Sequence, residues 1–297
     1  MRTEVVAIVD DPERAGLPGP ESETWRRFAA LPGVFVAGTG LLLQVAHPVV
    51  GAGVRQHSDF RNTPWSRAFR THLSTMRFVY GLGHGAEVEG DRLRRVHRTI
   101  RGVDEQGREY HALDPAAYAW VHLTLARFMV DTAAWFGTPM TEDETERMWQ
   151  EFRAVGRALH VRDRHMPPDW AGASRWFDEV VHEVLESNQS TRDVLDSLAH
   201  PAPPHPLVPR RAWDLVMRPA GRVVTLTSVG ILPEELRDRL GLVWTSADER
   251  RLRRFAGVVR AVMRVLPEPL RYPPLAYAVV LRARWRQRTG RANQCSA

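Results

Sequence analysis

The sequence predicts an all-α protein built as a single large helical domain, and three observations lead to this expectation. Apolar side chains recur three and four positions apart along most of the 297 residues, which is the spacing of one helix face. No segment has a convincing alternation of apolar and polar residues, the pattern of a half-buried strand. There is no internal repeat with a period of about 20–50 residues, so a solenoid is not expected.

The chain is expected to begin with a flexible N-terminal arm over residues 1–23, which is rich in proline, glycine and acidic residues. The helical domain then spans residues 24–290. Its first helical pattern starts with a cap near Ser22, and Pro48 should end or kink the helix that holds "LLLQVAH".

The next helices are predicted from helical spacing of apolar residues, and glycine- or proline-containing turns mark their ends. The turn "RNTP" precedes an amphipathic helix from about Pro64 to Tyr80, and "GLGHG" ends it. A helix from Glu87 to Arg101 is stopped by Gly102. A hairpin-like connection, "GVDEQGREYHALDP", then leads to the pair Asp114–Pro115, which is a strong helix start.

The helix that begins there, "PAAYAWVHLTLARFMVDTAAWF", runs to about Phe136, and Thr141 caps the amphipathic helix that follows. A proline-rich crossover is expected at 200–213. Further helices are expected at 174–187, 190–198, 233–240, 246–265 and 273–286.

Composition excludes several kinds of chemistry. The 41 basic residues are all arginine, so a Schiff-base lysine and a P-loop lysine are both excluded. The single cysteine, Cys295, excludes disulfide frameworks, cysteine-rich zinc sites and iron–sulfur clusters. Any metal or iron must therefore be held by His, Asp or Glu side chains.

No run of about 18 uncharged apolar residues predicts a transmembrane helix. The N-terminus lacks a basic start, a long apolar segment and a small-residue cleavage site, so no secretory signal is predicted. We therefore expect a cytoplasmic protein.

One histidine, His122, lies in the middle of an almost wholly apolar helix. Its face also carries Ala119, Ala126, Met129 and Ala133, at helical spacings, so the surface around the imidazole is narrow. A flat group could lie against such a face while the imidazole reached its centre. The alternative is a core histidine hydrogen-bonded to a neighbour, and the residues alone favour that alternative.

Arg94 and His97 are three positions apart and share a helix face. A cation beside an imidazole suits an anion or a reacting oxygen species, whereas a solvated basic face is the simpler interpretation. No H-E-x-x-H or G-x-S-x-G motif is present.

The ordered segments "LLLQVAHP", "HSDF", "PWSRAFRT", "RVHRTIRG", "GREYHALDP" and "WVH" resemble the oxygenase family of MpaB and the latex-clearing proteins, the rubber oxygenases. The resemblance covers roughly residues 25–265. It implies a mostly helical domain of the rubber-oxygenase type that binds haem b through one axial histidine and uses O₂.

Carried over to this chain, the histidine of "WVH" implies that His122 is the proximal iron ligand. Arg94 and His97 match the distal helix, where the resemblance implies catalytic and cofactor-binding roles and a possible second iron ligand at His97. Ala119 and Ala126 would flank the cofactor, and Arg70 is a weaker candidate for pairing with a haem propionate.

Rubber oxygenases have threonine where this chain has Arg98, and lysine where it has His97. These departures argue against polyisoprene as the substrate, so the resemblance implies an oxygenase acting with O₂ on a small or lipid-like apolar molecule.

Two alternatives from other classes stay open: a non-catalytic haem-binding sensor or carrier, and an arginine-rich helical protein that binds nucleic acid or acidic partners. The second is disfavoured because 35 acidic residues are interspersed with the arginines. A metal-dependent hydrolase is more distant, since spacing groups no ligand set.

Overall fold

The computed structural model describes residues 16–294 except 62, 83–84 and 206, with side chains described as far as residue 285. The first fifteen residues of the predicted arm lie outside this range. The helices are α1 (Glu23–Phe28), α2 (Ala37–Ala46), α3 (Pro48–His57), α4 (Pro64–Tyr80), α5 (Gly85–Arg98), α6 (Pro115–Phe136), α7 (Glu142–Ala158), α8 (Trp170–Glu183), α9 (Gln189–Ala199), α10 (Arg210–Gly230), α11 (Glu234–Arg239), α12 (Ser246–Val265) and α13 (Pro274–Gln294). The two short strands are β1 (Arg101–Val103) and β2 (Glu109–His111). The all-α prediction is confirmed.

Helix ends with strong local signals lie where the sequence predicts them. The Asp114 side chain accepts a hydrogen bond from the Ala117 backbone N–H, which caps α6 one residue before Pro115. Thr141 and Glu144 form a reciprocal capping box at the start of α7. Side-chain oxygens satisfy N–H groups that would otherwise lack partners, so both helices begin at fixed residues.

The first predicted helical stretch is divided into shorter pieces. The Ser22 hydroxyl accepts from the Trp25 N–H and caps α1, but a 3₁₀ turn over Leu31–Phe35 separates α1 from α2. Gly33 lies there against the Phe128 ring, where an added Cβ would be 2.6 Å from Cζ. Pro48 begins α3, as a helix break at proline requires, and α2 and α3 meet at a bend of 101°.

No single helix among the described residues is long and apolar enough to cross a membrane, and only α2 and α3 together, across their bend, reach that length and composition.

The predicted helix from Glu87 to Arg101 is three residues too long. α5 ends at Arg98, and Arg101 pairs with His111 in an antiparallel hairpin of β1 and β2. The predicted hairpin-like connection is therefore a true hairpin, with Gly107 at φ +80° in its turn. The backbone groups after Ile100 bond to β2 instead of continuing the helical ladder.

The predicted crossover at 200–213 is also too long, because α10 begins at Arg210 and continues for 21 residues. The prediction has no helix directly after residue 213 because Pro219 interrupts an amphipathic pattern that the structure nevertheless folds into a helix. Packing against α2 and α9 stabilises this helix instead. The Thr39 hydroxyl, for example, donates to the Ser228 carbonyl at 3.1 Å.

Helix α6 lies at the centre of the core and packs against α1, α2, α7, α8 and α12. Trp120 is fully buried, and its indole N–H donates to the Leu43 carbonyl at 3.0 Å. Its ring stacks on Phe177 with centroids 5.3 Å apart. These contacts hold the middle of α6, and with it His122, in one orientation.

A buried carboxylate joins α4 to α5. Glu89 is 2% exposed and accepts hydrogen bonds from Ser74 and Arg92, with Arg77 3.5 Å away. Burial by itself would raise the pKa of Glu89, but the bonds from Arg92 and Ser74 outweigh it, and the pKa is lowered.

The Glu89→Gln variant is expected to lower the free energy of unfolding by about 1–3 kcal/mol, because it removes the charge-assisted acceptor of two arginines. Urea unfolding at pH 7 measures the change. Glu87→Gln, at an exposed position on the same helix, should stay within about 0.5 kcal/mol of the parent. Equal effects of the two substitutions would contradict a bridging role for Glu89.

Candidate functional site

His122 lies midway along α6, 3% exposed, with its imidazole directed at α7. The Nε2–H group donates to the backbone carbonyl of Phe152 at 2.9 Å. The imidazole also stacks on the Phe152 ring, with centroids 4.3 Å apart and planes inclined by 7°. One residue of α7 therefore fixes both the position and the plane of the histidine.

A glycine on α7 makes this approach possible. An alanine Cβ at Gly156 would lie 2.8 Å from His122 Nε2 and 2.6 Å from the Met166 sulfur. Both distances are shorter than van der Waals contact, so only glycine leaves room for the imidazole beside the Phe152 carbonyl.

The hydrogen bond also selects the protonation state of His122. A carbonyl only accepts, so Nε2 carries the proton and Nδ1 carries the lone pair. Nδ1 is buried and has no hydrogen-bond partner among the described residues. Burial lowers the pKa of His122 to about 4, although the bond to the Phe152 carbonyl acts in the opposite direction. His122 is therefore a neutral imidazole at pH 7, with a buried lone pair that no described residue uses.

The helix face around His122 is built as its spacing predicts. Ala119, Ala126, Met129 and Ala133 are all buried, and the two alanines nearest the histidine are 1% and 0% exposed. Small side chains therefore flank the imidazole along α6.

Arg94 and His97 lie on α5 and meet α6 one helical turn before His122. The His97 Nδ1–H donates to the Leu93 carbonyl at 2.7 Å, and the imidazole packs edge-on against Tyr118 with centroids 5.8 Å apart. Nε2 of His97 consequently carries the lone pair of that ring. Arg94 lines a cavity of about 80 Å³ together with Tyr118 and His165.

The surroundings of His97 keep it neutral. Burial lowers its pKa, the hydrogen bond to the Leu93 carbonyl raises it, and the positive charges of Arg67 and Arg92 lower it further. The net shift is downward, so this imidazole is also uncharged at pH 7.

Arg70 is exposed, and its guanidinium donates to the Ser66 hydroxyl one turn away at 2.9 Å. Arg98 is exposed at the end of α5. The structure thus gathers Arg94 and His97 around Tyr118, places His122 one turn farther along α6, and leaves Arg70 on an outer helix face.

Sequence reasoning did not identify Phe152, Gly156 and Tyr118 as neighbours of these residues. Gly156 gave a usable signal, because a glycine inside an amphipathic helix often marks a close approach. Phe152 gave none, since it acts through its backbone carbonyl.

The described residues contain no group of three or more His, Cys, Asp or Glu side chains that could hold a metal ion. A cofactor that needs only one protein ligand could still bind, because His122 Nδ1 is buried and has no hydrogen-bond partner among the described residues.

Comparisons with known proteins identify relatives of the chain. A family profile described as "ER-bound oxygenase mpaB/B'/Rubber oxygenase, catalytic domain" matches residues 25–261. Uncharacterised proteins of Mycobacterium bovis and Mycobacterium tuberculosis are each 26% identical over 238 residues, covering 79% of this chain and 90% of theirs. No solved structure matches the chain significantly.

Proposed function

The chain belongs to the family of MpaB and rubber oxygenase catalytic domains, and we propose from this premise that it is a haem b-dependent oxygenase whose iron is held by His122. The family is one of oxygenase catalytic domains, which supports an enzyme acting with O₂. Beyond this, we propose that the enzyme depends on haem and that His122 binds the haem iron.

The unpartnered Nδ1 of His122 carries the proposal. Histidines that bind metal usually donate their other ring N–H to a carbonyl, carboxylate or water, which fixes the tautomer and raises the basicity of the ligand nitrogen. His122 has this arrangement, with Nε2–H on the Phe152 carbonyl and a buried lone pair on Nδ1. A core histidine with both nitrogens satisfied would not leave such an atom.

The residues around His122 have defined roles in this proposal. Phe152 orients the imidazole through its carbonyl and its ring. Ala119 and Ala126 place only small side chains beside it on α6. Haem, when bound, would supply the reaction with O₂ that no side chain of this chain supplies. The surrounding apolar core would exclude water from the reacting groups.

Arg94 and His97 of α5 would be the polar residues of the proposed site that act on O₂ or on the substrate. Arg94 is exposed and would supply a permanent positive charge that can pair with a carboxylate or stabilise negative charge that develops during the reaction. His97, neutral and with its lone pair on Nε2, could accept a proton or hold the haem iron as a second ligand.

The cavity beside Arg94 holds only a few water molecules at about 80 Å³, so accommodating a macrocycle requires the side chains between α5, α6 and α7 to rearrange. We propose a small or lipid-like apolar substrate, because the core around His122 is lined by Ala, Met and Phe side chains.

Haem titration of the purified chain tests the ligand assignment. The parent protein is expected to develop a Soret band that saturates at about one haem per chain, since His122 would provide one binding site for the iron. His122→Ala should lose this band or shift it, and added imidazole should restore part of the original spectrum by replacing the missing ligand.

His182→Ala is the matched control, since His182 is exposed on α8 and pairs with Glu235. It should retain the parent spectrum. A Soret band of the same position and stoichiometry in His122→Ala would remove His122 from the iron, and failure of the parent to bind haem would end the haem proposal.

A further inference from the structure

The C-terminal part of the chain is strongly basic, whereas the rest is acidic. Residues 250–297 contain twelve arginines and one acidic residue, Glu268. The formal net charge of the whole chain is only +6, so residues 1–249 carry a net negative charge. Such an asymmetry indicates an anionic partner, for example a nucleic acid or a membrane surface. The basic part includes most of α12 and all of α13.

Helix α12 exposes a row of apolar side chains. Val258, Val262 and Val265 are between 48% and 82% exposed. Their spacings of four and three positions place them on one helix face. The residues that hold α12 in the fold lie on a different face, where Leu252 and Ala256 are buried. The three valines are therefore not needed for packing and are available for contact from outside.

Arginines without partners border this row. Arg251 and Arg253 pair with acidic residues of the first turn of α12. Arg250, Arg254 and Arg264, in contrast, are exposed and form neither a hydrogen bond nor an ion pair from their side chains to any residue that the structure describes. An exposed apolar row with a charged border is typical of an interaction surface.

We propose that α12 docks the protein on an anionic lipid bilayer through its outer face, which consists of Val258, Val262 and Val265 together with Arg250, Arg254 and Arg264. The valines enter the interfacial layer of the bilayer, where removal from water stabilises apolar side chains. The arginines lie at the level of the lipid phosphates, which attract them and accept paired hydrogen bonds.

Two other occupants fit the outer face of α12 less well. A second copy of the chain, related by a two-fold axis, would bring the same unpaired arginines close to one another, and like charges repel. A nucleic acid would pair the arginines but would place the exposed valines against a polar phosphate backbone. An anionic bilayer satisfies both kinds of side chain.

The proposal does not depend on haem or on His122. Helix α12 contacts α6 near its last residue, where the Phe255 and Phe136 rings have centroids 6.1 Å apart. Phe136 lies fourteen residues beyond His122, which is about 21 Å along the helix axis. Failure of haem binding would leave this inference untouched, and failure of vesicle binding would leave the assignment of His122 untouched.

Co-sedimentation of the full chain with lipid vesicles tests the proposal. Vesicles of phosphatidylcholine and phosphatidylglycerol in about equal parts should bind at least about 10-fold more tightly than vesicles of phosphatidylcholine alone, because unpaired arginines are attracted to an anionic surface. Raising the salt concentration from about 0.1 M to about 1 M shortens the range of this attraction and should weaken binding.

The apolar contribution is tested with the triple variant Val258→Ser/Val262→Ser/Val265→Ser. It should bind the anionic vesicles at least about 10-fold more weakly, because three side chains that leave water on binding become polar. The matched control replaces three other exposed valines, on α5 and β1, and should stay within about 2-fold of the parent. It is Val88→Ser/Val96→Ser/Val103→Ser.

The charge contribution is tested with Arg250→Gln/Arg254→Gln, which should weaken binding to the anionic vesicles about 10-fold or more. The control, Arg95→Gln/Arg101→Gln, removes the same charge from exposed positions of α5 and β1 and should stay within about 2-fold. The effect of the α12 variant should disappear on vesicles of phosphatidylcholine alone.

The unsubstituted chain provides tests that do not depend on the folding of variants. Equal binding to the two kinds of vesicle, or no binding to either, would overturn the proposal. Tighter binding to double-stranded DNA than to anionic vesicles would assign the outer face to a nucleic acid. A dimer in sedimentation velocity that the three serine substitutions dissociate would assign it to a second copy. Equal losses in a variant and its control would remove α12 from the binding surface.

Discussion

Replacing Gly156 with alanine is expected to lower the free energy of unfolding by about 1–3 kcal/mol, although alanine is the better helix former. The helix-propensity gain is at most about 1 kcal/mol. It is outweighed because the new Cβ would lie 2.8 Å from His122 Nε2 and 2.6 Å from the Met166 sulfur. His122 cannot move aside easily, since its ring is stacked on Phe152.

The same substitution should weaken haem binding. Pushing Nε2 away from the Phe152 carbonyl removes the hydrogen bond that orients the imidazole, and loss of such a bond typically lowers metal affinity by about 10–100-fold. Haem titration of Gly156→Ala, compared with the parent, measures this second effect.

Gly257→Ala is the matched control. Gly257 lies inside α12, and a Cβ there would meet nothing within 4 Å. Alanine should therefore stabilise the protein by up to about 1 kcal/mol. Urea unfolding measures whether each variant raises or lowers the free energy of unfolding. A stabilising effect of Gly156→Ala would show that α7 does not approach His122 as closely as described.

Helices with explicit boundary signals were predictable from the sequence. The predicted ends of α4, α6 and α12 are correct because a proline, an aspartate cap or a threonine cap marks the start of each one. α10 was missed because Pro219 lies inside it, although packing against α2, α9 and α12 keeps the segment helical. Local rules cannot supply that information.

In the candidate site, too, local features were predictable and features that depend on the tertiary fold were not. The buried face around His122 was predictable, since all its members are on one helix with fixed geometry. The Phe152 carbonyl was not, because it belongs to α7 and lies 30 residues away in the chain. The spacing of Arg94 and His97 predicts a shared face, but only the tertiary fold brings Tyr118 against it.

Acidification of the haem-free protein is expected to remove up to about 3 kcal/mol of stability through His122 alone. The pKa of His122 is about 4 in the folded chain, against an ordinary value of 6.5. Between these values the unfolded chain binds the proton and the folded chain does not. The contribution of neutral His122 is therefore fully present above pH 6.5 and is lost as the pH falls toward 4, and the difference in pKa corresponds to about 3 kcal/mol.

His122→Gln isolates this contribution, because glutamine has an amide N–H donor but does not titrate in this range. Carboxylates and the other histidines titrate equally in both proteins, so their effects cancel when unfolding free energies are subtracted at each pH from 7 to 4. The parent should lose stability relative to His122→Gln as the pH falls, most steeply below pH 6.5. Parallel curves for the parent and His122→Gln would mean that the His122 imidazole reaches water in the folded protein, and a freely solvated imidazole would contradict the sealed Nδ1 on which the iron assignment rests.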